Sequence, residues 1–402
     1  MQLIGDTPMT PAQKRIVVTL GFCGLVSAAD NWFVSPALPA IAQALAVAPS
    51  AAAIILTAYL TPYGLLQPVC GAIGDAVGRV RLLRIIVAGL AVSTAACAAA
   101  PTLGILIAAR IVTGCFAAGI ISVSQALVGD VVSTEDRQGA VGLLMGITFT
   151  GQGISAGLGG IICDLVGWRA AFVCFGVLGA VAWAGVMRLR GVGEKRGAAQ
   201  AEPFRPAAFL VQATRTFFGP GRAVFLIACS TGIIYLGVYG FMGTFLAEKC
   251  GLASTQAGLL MMFYGLACLA GGSLSGRIGA ARGQAGVILV GEVSGIAACA
   301  LLAASTLTGS WAPALIAAAC LGLGYILVQP RLVALSMDVG PGRAGLCTGL
   351  IGLGVFAGGG VGSVIGGSVI GAGGYLALWL AAGIALAAQA VIGARALPRA
   401  RG

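Results

Sequence analysis

The sequence predicts an all-α membrane protein: twelve transmembrane helices in two pseudo-symmetric six-helix bundles. Three observations carry this expectation, namely a series of long apolar runs, a one-sided distribution of positive charge, and an internal echo between the two halves of the chain. Of 402 residues, 59% are hydrophobic and only 9% are charged, with a mean hydropathy of +1.02. A soluble chain of this length would need far more polar surface.

The apolar runs come first. A bilayer core about 30 Å thick takes about 20 apolar residues per helix. Such runs lie at 15–38, 50–73, 82–100, 103–127, 139–163 and 168–187. After an interruption they resume at 222–246, 256–276, 285–305, 311–333, 343–370 and 374–394. The first run is long and the next follows at once, so no cleavable signal is expected. The interruption, 188–221, is basic and rich in Gly and Pro, and reads as a cytoplasmic linker carrying a surface helix. It divides the chain into an N-terminal bundle, 1–187, and a C-terminal bundle, 222–402.

The charges come next. The net charge of +11 invites a nucleic-acid partner, but its distribution argues against one. With a cytoplasmic N-terminus, twenty of the 23 Lys and Arg residues fall in cytoplasmic segments and only Arg169 and Lys249 in outer loops. That bias fits the positive-inside rule with both termini cytoplasmic. The chain contains no histidine, which removes His-based triads and His metal sites, and no nucleophile–base–acid set suggests an enzyme. The twelve cysteines scatter about one per helix without a CxxC pair and read as small packing residues rather than as a disulfide or metal set.

The halves echo each other at an offset of 201 residues. Gly71, Gly78 and Arg81 in "GAIGDAVGRVR" fall on Gly272, Gly279 and Arg282 in "GSLSGRIGAAR". The same offset sets Gly151, Gly153, Gly157 and Gly159 on Gly352, Gly354, Gly358 and Gly360. Parallel six-span repeats are one known transporter architecture.

Charge inside the spans marks the candidate chemistry, because an ionisable group at bilayer depth costs at least a few kcal/mol and faces a cavity, a partner or a pathway. The groups placed away from the span ends are Asp30, Arg110 and Glu292. Counting about 1.5 Å per residue sets Asp30 roughly 22 Å from the cytoplasmic start of its span and Arg110 roughly 11 Å from the outer start of its own. Both then lie at similar depth in the outer half, within reach of each other. Burial favours a neutral acid and a nearby arginine favours the carboxylate, so an acid held between the two is switched by hydration or by a bound cation. Asp30 and Arg110 are therefore the candidate proton-coupling pair; the bland reading is a structural charge pair fixing the first span. Asn31, Gln125, Tyr235, Tyr239 and Glu292 are candidate cavity groups, with Trp32, Tyr63, Phe241, Tyr264 and Tyr325 able to stack on a ligand or simply to pack. No Walker sequence is present, so an ion gradient is the expected driving force and no cofactor is expected.

Several motifs carry a resemblance. "GAIGDAVGR" is similar to the major facilitator superfamily loop signature Gly-x-x-x-Asp-Arg-x-Gly-Arg-Lys: Gly71, Asp75, Gly78 and Arg79 match, while Ala76 and Val80 replace its basic residues. The resemblance implies that this cluster latches the two halves in the outward-open state. "SAADNWFVSPALPAIAQAL" resembles the first span of drug/proton antiporters, and Arg110 with Gly114 matches their fourth-span Arg-x-x-x-Gly. Gly142, Gly151, Gly159 and Gly160 fall at the spacing of the antiporter fifth-span signature, although Ser155–Ala156 stands where its Gly–Pro is usual. The style is similar to the Bcr/CflA type. The resemblance implies a monomeric rocker-switch carrier of a bacterial inner membrane, exporting a small amphipathic drug or secreted metabolite in exchange for protons. Two other readings stay open: a proton symporter importing a small solute, and a transporter-like sensor or assembly partner.

Overall fold

The structure, a computed structural model, describes residues 9–132, 137–189, 206–339 and 344–396. It is all-helical among these residues. α1 (Pro11–Trp32) starts on a capping box, in which the Thr10 hydroxyl accepts from Gln13 N and the Gln13 side chain accepts from Thr10 N. It runs into α2 (Val34–Ala44) across a 41° bend. The bend has a local cause: Pro36 has no N–H to offer the Trp32 carbonyl one turn back, and its ring crowds that carbonyl. After α3 (Pro49–Ala52) come α4 (Ile54–Val77), α5 (Arg79–Cys97), α6 (Leu103–Val131), α7 (Arg137–Val166) and α8 (Trp168–Met187). α4 and α5 are joined through Gly78 alone, at φ 91°, ψ 126°, a conformation that side-chain-bearing residues rarely adopt. This is the tight turn within the charged loop.

The linker contributes α9 (Pro206–Phe217), a helix too short to cross a bilayer. Then α10 (Arg222–Thr231) passes through a π-helical turn, Gly232–Leu236, into α11 (Gly237–Cys250). The remaining helices are α12 (Ser254–Thr308), α13 (Ala312–Val339) and α14 (Ala344–Ala396). At 55 residues α12 would be about 82 Å long if straight. Yet Cys250 Sγ, just before its start, lies 3.9 Å from Ser305 Oγ near its end. α12 therefore folds back on itself and makes two crossings, Ser254–Gly271 and Gly286–Thr308. α14 does the same. Gly374, at φ 72° and ψ −174°, breaks it, and its two arms both reach the Thr231–Gly232 corner, one through Val355 and the other through Gln389. Among the described residues ten helical segments are long and apolar enough to span a membrane, and the bent α1–α2 pair makes an eleventh. Dividing Leu346–Arg395 at Gly374 gives the expected twelve.

Apolar burial cannot drive helices together in lipid, so close approach of small residues does much of that work. Gly153 on α7 faces Gly265 on α12 so closely that a Cβ on the first would sit 2.5 Å from the Cα of the second. Gly151 packs on the Leu25 carbonyl, Gly159 on Phe33 and Gly160 on Ser254, so three of the four anticipated glycines lie at helix contacts; Gly142 is helical, and its surroundings lie outside the described residues. In the eleventh span Gly352 meets Gln67, Gly354 meets Cys229 and Gly360 meets Thr61, so these glycines also lie at helix contacts.

The halves meet along two long seams, α4 against α14 and α7 against α12, and at the end distant from the arginine-rich loops. There the Ser35 hydroxyl donates to the Gly240 carbonyl at 2.9 Å, and Thr255 N donates to the Asp164 carboxylate at 2.6 Å. Gly243 rests on the Ser35 carbonyl and Gly258 on that of Ala156, which leaves no side-chain gap.

Candidate transport pathway

Asp30 lies in the last turn of α1, just before the bend, and is buried. Arg110 Nη1 donates to its Oδ2 at 2.6 Å and the Thr94 hydroxyl to its Oδ1 at 2.7 Å. Three helices, α1, α5 and α6, thereby converge on one carboxylate. Arg110 is fully enclosed. Its Nη2 donates to Asn31 Oδ1 at 3.2 Å, and its guanidinium carbon lies 4.3 Å from the Tyr59 ring centroid and 5.8 Å from that of Phe172. The Tyr59 hydroxyl in turn donates to the Ser27 carbonyl at 2.8 Å. Three polar atoms of the cluster have no partner, Arg110 Nε, Asn31 Nδ2 and Ser27 Oγ.

A cavity of about 700 Å³ lies between the halves. Its aromatic wall holds Trp32, Tyr59, Tyr63, Phe149 and Phe356; its polar groups include Asn31, Gln67, Gln125, Gln152 and Gln329. Among the described residues, no charged side chain lines it. Gln125 on α6 and Gln329, Val333 and Ala334 on α13 sit towards the arginine-rich ends of their helices. The space therefore occupies that half of the molecule, beneath the sealed opposite end. Tyr63 and Phe356 meet edge to face across the halves at 4.6 Å.

The sequence-derived candidates separate on this geometry. Asp30 and Arg110 are brought together, but neither lines the cavity; Asn31, bonded to Arg110, does, and so does Gln125. Tyr235, Tyr239 and Glu292 are not among the lining residues. The Tyr235 hydroxyl is tied to the Gly291 carbonyl at 2.9 Å and that of Tyr239 to Met261 at 3.2 Å, while Glu292 is buried against Gln389. Hydropathy locates such residues in a span but does not report which face of the helix meets the cavity. In the charged loop, Arg79 pairs with the Asp130 carboxylate and donates to the Ala126 carbonyl at 2.7 Å, both on α6 of the same half. Gly71 has open space where a side chain would be, and the side chain of Asp75 lies outside the described residues.

Thr94, Asp130, Gln67, Gln152 and Gln329 were not singled out in the sequence. The three glutamines carried a usable signal, being amides inside apolar runs. Thr94 carried none, since threonine is common in membrane helices and satisfies itself on its own backbone.

Two bundles of six spans, sealed at one end around a cavity at the other, define a polytopic helical membrane protein with the architecture of a transporter. The chain belongs to the Major Facilitator Superfamily, whose family model matches residues 20–353. Among curated relatives it is 24% identical over 305 residues to citrate exporter 1 of Aspergillus niger, covering 66% of this chain and 56% of that protein. It is 25% identical to the MFS-type transporter YdgK of Bacillus subtilis over 86% of this chain and 87% of that one. The chain thus spans little more than half the length of the citrate exporter. Two solved structures share the fold. The human organic anion transporter MFSD10 has a TM-score of 0.73 at 17% identity, covering 96% of this chain and all of that one. A bacterial homologue of the lysosomal transporter Spinster, inward-facing and unoccupied, has a TM-score of 0.71 at 18% identity, covering 97% and 98%.

Proposed function

We propose that this transporter is a proton-coupled exporter of a small, uncharged amphipathic compound, with Asp30 as the proton carrier and Asn31 as its link to the cavity. The observation that carries the proposal is the sharing of Arg110. One guanidinium donates both to Asp30 and to a side chain that lines the cavity. A proton on Asp30 removes half of that demand on Arg110, so the grip on Asn31 changes. A solute bound to Asn31 pulls on Arg110 and thereby alters what holds the carboxylate. Each ligand changes the other's affinity, as linkage requires.

The lining supports the substrate class. Aromatic faces and amides suit a partly apolar molecule with hydrogen-bonding groups, whereas a polycarboxylate such as that handled by the fungal relative finds no cation on the wall. With the arginine-rich end cytoplasmic, by the positive-inside rule, the conformation is inward-open in a bacterial inner membrane. A monomer suffices, since both halves of the pathway lie in one chain. Gly71, Asp75, Gly78 and Arg79 act as the latch of the outward-open state.

The test uses proteoliposomes with an imposed pH gradient, screened with uncharged aromatic and amphipathic compounds. Export is expected to acidify the compartment that gains no substrate, and the Asp30→Asn, Arg110→Gln double variant is expected to transport only downhill. Gradient-driven accumulation by that double variant would overturn the assignment; accumulation in right-side-out instead of everted vesicles would favour the symporter.

A further inference from the structure

Glu292 is the second buried carboxyl, and its surroundings are unlike those of Asp30. It lies on the returning arm of α12 and is fully enclosed. Oε1 accepts from Gln389 Nε2 at 2.6 Å, whereas Oε2 has no partner; Gln389 Oε1 has none either. The same Gln389 nitrogen also donates to the Thr231 hydroxyl at 2.9 Å. Glu292 takes part in neither the Asp30–Arg110 nor the Arg79–Asp130 ion pair.

The neighbouring elements bring little that titrates. From the π-helical turn comes Tyr235, whose hydroxyl donates to the Gly291 carbonyl, with the Cys299 thiol of α12 beyond it. α13 presents Gly324 and Val328 to Gly291, and α14 presents Leu386 to Gly295. No lysine or arginine pairs with the carboxyl among these. An unpaired ion in such a place costs far more than its neutral form, and the group takes up a proton instead. A single proton on the carboxyl also supplies the hydrogen that two unpartnered oxygens lack, because a carboxylic acid can donate and a carboxylate cannot.

We propose that Glu292 is a second proton-binding site, in the half that lacks Asp30, and that it is occupied in this conformation. The step is a proton transfer alone: the carboxylate takes a proton from the aqueous phase and returns it there. Glu292 is not among the cavity-lining residues; Tyr235 tilts against Tyr325 at 6.3 Å, and Tyr325 meets cavity-lining Phe149 at 6.3 Å. Gln389 bridges Glu292 to Thr231, the residue immediately before the π-helical turn. Such turns cluster at functional sites, and here loss of the proton alters the hold on the irregular part of the seventh span. The site is independent of the Asp30 reading and stands or falls separately.

Infrared spectroscopy of the purified full chain in lipid at neutral pH tests it without any knowledge of the substrate. A protonated-carboxyl C=O band is expected, shifted in D₂O, lost in Glu292→Gln and retained in Asp30→Asn. Should Glu292→Gln fail to purify, Glu292→Asp is expected to move the band rather than leave it in place. Absence of the band in the wild type, its survival unchanged in either Glu292 variant, or its loss in Asp30→Asn would overturn the proposal.

Discussion

Arg110 holds Asp30 at 2.6 Å through one terminal nitrogen and Asn31 at 3.2 Å through the other, so two consecutive residues of the first span share one cation. Asp30 faces the interior of the N-terminal bundle and Asn31 faces the cavity. The two neighbours are thus placed on opposite sides of the cavity wall.

Removing one partner of a buried ion pair strands the other and costs about 3–5 kcal/mol, whereas replacing both is far milder. Asp30→Asn and Arg110→Gln are each expected to lower thermal stability in detergent more than the double variant does. A double-mutant cycle on unfolding midpoints measures this, and strictly additive losses would contradict the geometry.

Thr94 is the second support of the Asp30 carboxylate. Thr94→Val keeps the shape and removes the donor, so a loss of about 1–3 kcal/mol is expected from a buried acceptor left short of a partner. The pH dependence of transport is expected to move with it, whereas Thr113→Val, whose hydroxyl bonds only to its own helix at 2.8 Å and to a cysteine sulfur at 3.8 Å, is expected to leave that dependence in place. Parallel transport profiles of the two variants provide the comparison.

Ser35 seals the end of the molecule opposite the arginine-rich loops, through its bond to the Gly240 carbonyl. Ser35→Ala removes a contact worth about 1 kcal/mol, which is roughly a five-fold change in the balance between closed and open arrangements. Increased labelling of a cysteine introduced beside the seam, in a background freed of its native cysteines, is the expected readout. Unchanged labelling would mean that the glycine contacts alone hold this end shut.

Arg79 and Asp130 are both partly exposed, at 22% and 31%. Exposed pairs contribute about 0–1 kcal/mol, so Arg79→Gln is expected to shift the unfolding midpoint little. If the loop works as a separable contact, the same variant is expected to slow transport several-fold, seen as reduced initial rates at unchanged protein levels.

Gln329 lines the cavity from the C-terminal half, and its buried amide oxygen has no partner. Gln329→Leu removes an unsatisfied group and is expected to leave stability unchanged or raised. Apparent substrate affinity is expected to fall roughly five-fold, the equivalent of about one hydrogen bond. Binding titrations on purified protein decide it.

The site was legible in part. The matched depths of Asp30 and Arg110 could be counted along two helices, and the structure brings them into contact. That Asp30 turns away from the cavity could not be counted, because it depends on which helices pack against the first span and on the bend at Pro36. The partner of Glu292 was equally hidden: Gln389 lies 97 residues further on, near the far end of the last span.

Sequence alone determined that this chain is a twelve-pass helical membrane protein with two related halves and three deep charges. The cause is general: lipid cannot satisfy backbone polar groups, so every long apolar run must become a helix, and every buried ionisable group stands out against it. Only the tertiary structure decided which of those charges are compensated and which polar faces meet the cavity. Those outcomes follow from helix rotation and close approach, set by contacts such as Gly153 on Gly265 between residues far apart in the chain.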